Sequence, residues 1–327
     1  MYYSHFGFRE EPFGVTPDPR FFFSSPQHEE AVATLFLAAS QRRGLSLLVG
    51  PAGLGKTSIL FMLTRMLKGS AQIAYVANPV YDRATVHDSL LACYGLEPAG
   101  SLVANQRLLR EYLLKTDSDG KTCVAIFDEA QDLERDRLED IRLLSNFETA
   151  NGKLLQIVLA GQPRIVETLS RPDCEQIRQR CGAVSSLVPL SRKESHDYLV
   201  HRLQTAGGTP AVFAPGAAEA VISAAAGVPR NMNTICWNAL NIAYALGSRK
   251  VAAANVEEAC RDLDSPRDCP KSSPTIRRSA WSSSFWGARK TSQPGNRSAP
   301  ESTERTGKLV RIRLSGVLAN MAARYSS

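Results

Sequence analysis

At 327 residues and 43% hydrophobic composition, the chain is long and apolar enough to bury a sizeable core, which excludes a disordered or fibrous polypeptide. Its apolar runs are broken well short of the roughly 18 residues that cross a membrane, and the opening Met1-Tyr2-Tyr3-Ser4-His5-Phe6 lacks the basic leader and apolar run of a secretory signal. The formal charge of +7 is local: residues 1–265 hold 27 Lys/Arg against 29 Asp/Glu, and residues 266–327 hold 12 against 3, so the basicity belongs to the C-terminal segment.

In chain order, Phe6 to Phe23 is rich in Phe and Pro and too irregular for a long helix, Ser24-Ser25-Pro26 is a helix start, and Glu29 to Arg43 has helical periodicity. Strands are then predicted at 45–49, 72–77, 122–127, 154–160 and 183–188. Helices near 56–67, 82–94, 102–115, 135–149 and 172–181 fall between them. Near-continuous apolar strands alternating with helices predict an α/β fold, a parallel sheet covered on both faces. From Ser191 only helices follow, at about 192–205, 215–226, 230–246 and 255–263, punctuated by Gly207-Gly208 and Gly227-Val228-Pro229. The expected domains are therefore a nucleotide-binding α/β domain over 1–190, a small helical domain over 191–264, and a disordered basic tail over 265–327. Within that tail, Lys308 to Tyr325 has the pattern of a short basic amphipathic helix.

Two blocks carry chemistry. Gly50-Pro51-Ala52-Gly53-Leu54-Gly55-Lys56-Thr57 matches the phosphate-binding pattern G-x-x-x-x-G-K-[ST], with a strand before it and a helix from Ser58 after it. Such a loop curls so that backbone N–H groups face a triphosphate at the positive end of the following helix. Lys56 is then expected on the β- and γ-phosphates and Thr57 on Mg²⁺. The second block, Val124-Ala125-Ile126-Phe127-Asp128-Glu129, places two carboxylates at the C-terminal end of a buried strand, the edge where open α/β sheets bind ligands. Asp128 is expected in the Mg²⁺ shell and Glu129 as general base for the attacking water. A bare glycine turn has no use for the Lys-Thr pair, and a scaffold that does not hydrolyse has no use for Glu129. The seven cysteines are odd in number, lack C-x-x-C spacing and fall largely on apolar positions, the habit of buried free thiols in a cytoplasmic protein.

An α/β nucleotide domain followed by a small helical lid resembles the AAA+ ATPases. More narrowly, the chain resembles the general secretion pathway protein A (ExeA-type) ATPases. The carrying residues are Tyr2–Phe23, Asp128-Glu129-Ala130-Gln131-Asp132-Leu133, Ile141-Arg142-Leu143-Leu144-Ser145-Asn146-Phe147-Glu148, Leu155 to Pro163, and Gly227-Val228-Pro229-Arg230. The resemblance implies ATP as the nucleotide, an adenine pocket near Phe13 to Pro19, Gln162 as a polar sensor of the γ-phosphate, and Arg230 as a second sensor on the lid. It also implies an arginine finger, Arg178 or Arg180, offered to a neighbouring subunit, and hence a ring or filament of identical chains. A partner in the inner membrane and work on a secretion or polysaccharide-export complex are implied likewise. Family members typically continue through a membrane span to a peptidoglycan-binding part. Here a basic tail stands in that place, the expectation for a truncated member, a shortened gene product or a soluble relative.

The alternative function is a DNA-associated ATPase of the transposition-regulator type, since those share the ATPase body and the tail is basic. Phosphate backbones suit the tail's charge. An anionic membrane surface does too, with Trp281 and Trp286 at the headgroups and Arg277, Arg278, Arg289 and Lys290 around them. A solvated tail without a partner is the third reading.

Overall fold

The computed structural model describes residues 2–14, 16, 18–77, 85–150 and 152–264. The expectations for residues 82–84 and for the whole basic tail lie outside the described residues. Among the described residues seven strands form: β1 (Leu45–Val49), β2 (Ala71–Val76), β3 (Thr122–Phe127), β4 (Glu148–Thr149), β5 (Gly152–Lys153), β6 (Leu155–Gly161) and β7 (Cys181–Ser186). Five of them make one parallel sheet in the order β2-β3-β6-β1-β7. Every residue of β1 and β6 is buried, as is β3 after Thr122, which is why these strands read as near-continuous apolar runs.

Helices α1 (Tyr2–His5), α2 (Pro26–Ser40), α3 (Lys56–Leu67), α4 (Val86–Cys93), α5 (Leu102–Ser118), α6 (Arg135–Leu144), α7 (Arg164–Leu169) and α8 (Glu175–Arg178) accompany the sheet in sequence. A helical body follows, built from α9 (Arg192–Thr205), α10 (Pro215–Ala225), α11 (Pro229–Ala245) and α12 (Ala253–Asp264). Among the described residues no helix is long and apolar enough to cross a membrane. The parallel sheet with flanking helices and the helical body bear out the expected fold class.

Three elements differ from expectation. The helix expected over 135–149 stops at Leu144, where the Ser145 hydroxyl bonds back to the Arg142 carbonyl, and β4 pairs antiparallel with β5 in a hairpin immediately before β6. The helix expected over 172–181 is a 3₁₀ turn at Pro172–Cys174 and the single turn of α8, because β7 begins at Cys181, two residues early. Helix α7 is six residues long, too short to show a period.

The N-terminal segment packs against the helical body. Phe6, Phe8, Phe13 and Phe21 share one buried cluster with residues of α9 to α12. The Arg9 N–H donates to the Ala206 carbonyl at 2.8 Å, and a Cβ at Gly208 would fall 2.1 Å from the Phe8 ring. Arg202 fastens the segment from within. Its Nε donates to the Pro12 carbonyl at 2.6 Å, its Nη2 donates to the Gly14 carbonyl at 3.3 Å, and its guanidinium sits 4.7 Å from the Phe21 ring centroid. Gln27, in the first turn of α2, holds the segment after β7, accepting from the Val188 N–H at 2.9 Å and donating to its carbonyl at 3.0 Å.

Burial holds His28, His87 and His201 below the ordinary imidazole range. The folded state keeps them neutral, whereas the unfolded chain takes up protons near pH 6.5. Stability is therefore expected to be full above about pH 7 and to fall as pH drops through about 6.5 and below, which urea midpoints across that range will check. Both ring nitrogens of His87 are buried without a hydrogen-bond partner, so His87→Leu is expected to flatten part of that slope without loss of stability at neutral pH.

Candidate functional site

The phosphate-binding loop leaves β1 at Gly50 and enters α3 at Lys56. Gly53 and Gly55 take left-handed backbone with φ of +80° and +91°. Both are also approached closely: a Cβ at Gly53 would lie 2.8 Å from Arg230 Cβ, and one at Gly55 would lie 3.1 Å from His28 Nε2. His28 clamps the loop to α2. Its Nε2–H donates to the Leu54 carbonyl at 2.9 Å, which leaves neutral Nδ1 to accept from the Ser25 hydroxyl at 2.5 Å. The Arg230 N–H donates to the Gly53 carbonyl at 3.3 Å, so the start of α11 rests on the loop from the other side.

Lys56 is buried and folded over its own loop, with Nζ donating to the carbonyls of Gly50 at 2.8 Å and Pro51 at 3.2 Å. Burial pushes its pKa down, against the opposing pull of Glu129 and Asp128. At the end of β3, Asp128 Oδ2 accepts from the Thr57 hydroxyl at 2.9 Å and the Tyr75 hydroxyl at 3.0 Å, while Oδ1 accepts from the Glu129 N–H at 3.0 Å. Burial and then the Asp128 charge raise the Tyr75 phenol above its ordinary range, so Tyr75 stays a donor. Glu129 itself has φ of +52°, a left-handed conformation uncommon for a side-chain-bearing residue. The Gln131 amide lies against it, with Nε2 donating to Glu129 Oε2 at 2.9 Å.

One cleft of about 480 Å³ joins these groups. It is lined by Ala52 to Ser58, Glu129, Gln162 and Arg230, and by Gly14, Thr16, Asp18, Phe21, Tyr198, Arg202 and Asn233 toward the helical body. Gly50, Pro51 and Asp128 stand directly behind that wall through the bonds above. The adenine-side expectation splits: Phe13 is buried edge-to-face against Phe213, while Gly14, Thr16 and Asp18 reach the cleft, and Val15 and Pro17 lie outside the described residues. Arg178 and Arg180 do not reach it. Arg178 lies 3.8 Å from Glu175, and Arg180 donates to the Ser145 hydroxyl at 2.9 Å and to Asn146 Oδ1. A second groove of about 530 Å³ opens beside α6 and α7, lined by charges of both signs and without the phosphate-binding loop.

Sequence reasoning missed His28, Tyr75, Gln131, Tyr198, Arg202 and Asn233 as parts of this site. None sits in a spacing motif, apart from Gln131, which lies two residues beyond the recognised Asp128-Glu129 pair.

Residues 39–169 match the AAA domain family. Over 272 residues, 82% of its length, the chain is 36% identical to general secretion pathway protein A of Aeromonas hydrophila. The chain carries an AAA domain and is similar in sequence to general secretion pathway protein A. It spans 49% of that relative's length. The ORC2 protein of Aeropyrum pernix, solved in ADPNP and ADP complexes, superposes with a TM-score of 0.58 at 15% identity, over 78% of this chain and 73% of that one. Cdc6p of Pyrobaculum aerophilum does so with a TM-score of 0.58 at 16% identity, over 76% and 71%. At these identities the likeness is one of fold.

Proposed function

We propose that this chain is an AAA ATPase that hydrolyses ATP with Mg²⁺ as a homo-oligomer and couples the turnover to a cell-envelope secretion or export complex. The observation that carries the hydrolytic reading is the meeting of Thr57, Asp128, Glu129, Gln162 and Arg230 around one cleft at the C-terminal ends of β1, β3 and β6. The Thr57 hydroxyl and Asp128 carboxylate form a hard oxygen pair at the foot of the loop, the donor set that suits Mg²⁺. Thr57 would hold the ion directly and Asp128 through its shell, and the bound ion supplies charge that offsets the β- and γ-phosphate oxygens.

The chain's own residues then act in order. Loop N–H groups and the start of α3 take the phosphates, and Lys56 exchanges its two loop carbonyls for phosphate oxygens. Glu129 accepts a proton from the attacking water. The Gln162 side chain orients that water or the γ-phosphate, and the Arg230 fork binds phosphate oxygens from the helical body. Because Arg230 stands on that body and the adenine-side segment packs against it, nucleotide ties both to the loop at the end of β1.

Arg178 and Arg180 stand away from their own cleft, which fits a finger offered to a neighbouring subunit. Turnover per subunit is therefore expected to climb with protein concentration and to fall by about 10³-fold or more in either Arg178→Ala or Arg180→Ala. Flat activity across concentration in all three proteins sinks the oligomeric reading. The secretion role and an inner-membrane partner rest on the 36% identity to general secretion pathway protein A. A DNA-associated ATPase is the second reading, favoured by the 12 Lys/Arg against 3 Asp/Glu in residues 266–327. Duplex binding that falls steeply with salt, without binding to anionic vesicles, selects it.

A further inference from the structure

Gln131 occupies the short turn Ala130–Asp132 between the end of β3 and α6, and each polar atom of its amide is committed. Nε2 donates to Glu129 Oε2 and to Asp132 Oδ2, both at 2.9 Å. Oε1 accepts the backbone N–H of Gln162 at 2.8 Å. The amide has one workable orientation, because turning it over sets its oxygen against two carboxylates and its NH₂ against an N–H donor. The approach to β6 is close: a Cβ at Gly161 would lie 3.1 Å from both Gln131 Oε1 and the Gln131 backbone nitrogen. Glycine at 161 leaves the amide its place. On the far side Glu129 is turned by its left-handed backbone, and among the described residues one side-chain donor holds its carboxylate, the Gln131 amide, which is anchored to the end of β6.

We propose that Gln131 is a positioning residue for hydrolysis: its amide fixes the Glu129 carboxylate relative to the end of β6 that carries Gln162. The proposal rests on Glu129 acting as the general base. A single side chain thereby sets the spacing between the group that takes the proton and the group that faces the γ-phosphate. Misplacement of a reacting group by about 1 Å costs on the order of 10²-fold in rate, so the loss belongs to kcat and not to nucleotide affinity.

The test is a cycle of Gln131→Met, Glu129→Gln and the double variant in the full chain. It reads single-turnover ATP hydrolysis, the Kd of a non-hydrolysable ATP analogue and the Tm. Gln131→Met keeps the length of the side chain and removes its hydrogen bonds. The expected result is a kcat lower by about 10- to 100-fold, a Kd within about twofold of the wild type, and no further loss when Gln131→Met is added to Glu129→Gln. Gly161→Ala, which presses the amide from the strand side, is expected to reproduce the kcat loss and serves if Gln131→Met does not fold. A kcat within about twofold of the wild type in Gln131→Met or Gly161→Ala overturns the proposal, and so does a full additional loss in the double variant, which marks a purely structural role. Wild-type turnover by Glu129→Gln overturns the base assignment along with it, whereas a dead Glu129→Gln beside an active Gln131→Met overturns the Gln131 role alone.

Discussion

Glu129→Gln is expected to bind ATP within about twofold of the wild-type affinity and to turn it over at least about 100-fold more slowly. The substitution is nearly isosteric, and the new carbonyl oxygen still accepts from Gln131 Nε2, which now donates to Oε2. The left-handed backbone at this position is unaffected, since its cost does not depend on the charge at the end of the side chain. What disappears is the capacity to take a proton. Titration with a fluorescent ATP analogue and phosphate release measured on the same sample separate the two quantities. Normal phosphate release would mean that water is activated elsewhere in the cleft.

Lys56→Ala is expected to lose ATP affinity by on the order of 10²- to 10⁴-fold while the chain stays folded. Each charge-assisted bond from the ammonium to phosphate contributes about 1.5–3 kcal/mol, and Ala replaces none of them. The same ammonium holds the Gly50 and Pro51 carbonyls, so the loop loses two internal bonds as well. The loop remains clamped by His28 and by the Arg230 N–H, and the fold should therefore survive. Thermal shift is a direct readout. Wild-type protein at ATP about 100 times Kd gains about 2.7 kcal/mol, and the variant at the same ATP concentration should gain almost nothing. An undiminished shift would remove Lys56 from the phosphate site.

Backbone and local chemistry made much of this legible in sequence. The parallel sheet could be read because β1, β3 and β6 are buried on both faces and their residues are accordingly mostly apolar, with Ser46 and Gln156 the buried polar exceptions. The loop and the Asp128-Glu129 pair could be read because phosphate binding demands particular residues at fixed spacing along one segment. Illegible were the contacts that bring distant segments together. Gln131 means little until β6 lies beside it, and His28 means little until α2 crosses the loop 26 residues later. Arg202 reads as a solvated helix residue in sequence. Its partners at Pro12 and Gly14 are fixed only once the N-terminal segment has folded back onto α9. The hairpin of β4 and β5 was lost for a different reason: two-residue strands give no period, and the helical pattern of Arg135–Leu144 runs straight into them.

The packing of the N-terminal segment on the helical body also has a consequence for biosynthesis. Pro12 and Arg202 are joined by a hydrogen bond across 190 residues of sequence. At translation rates of about 5–20 residues per second, Phe6, Phe8, Phe13 and Phe21 leave the ribosome roughly 10 to 40 seconds before α9 does. Throughout that interval four aromatic side chains lack the α9–α12 surface they bury against, although the sheet between them and their partners is already being made. The nascent chain is thus a natural client for a holding chaperone, and slower synthesis lengthens its exposure. A fragment starting at residue 191 inherits the complementary defect, because it presents the vacant aromatic-binding face of α9 to α12 to the solvent.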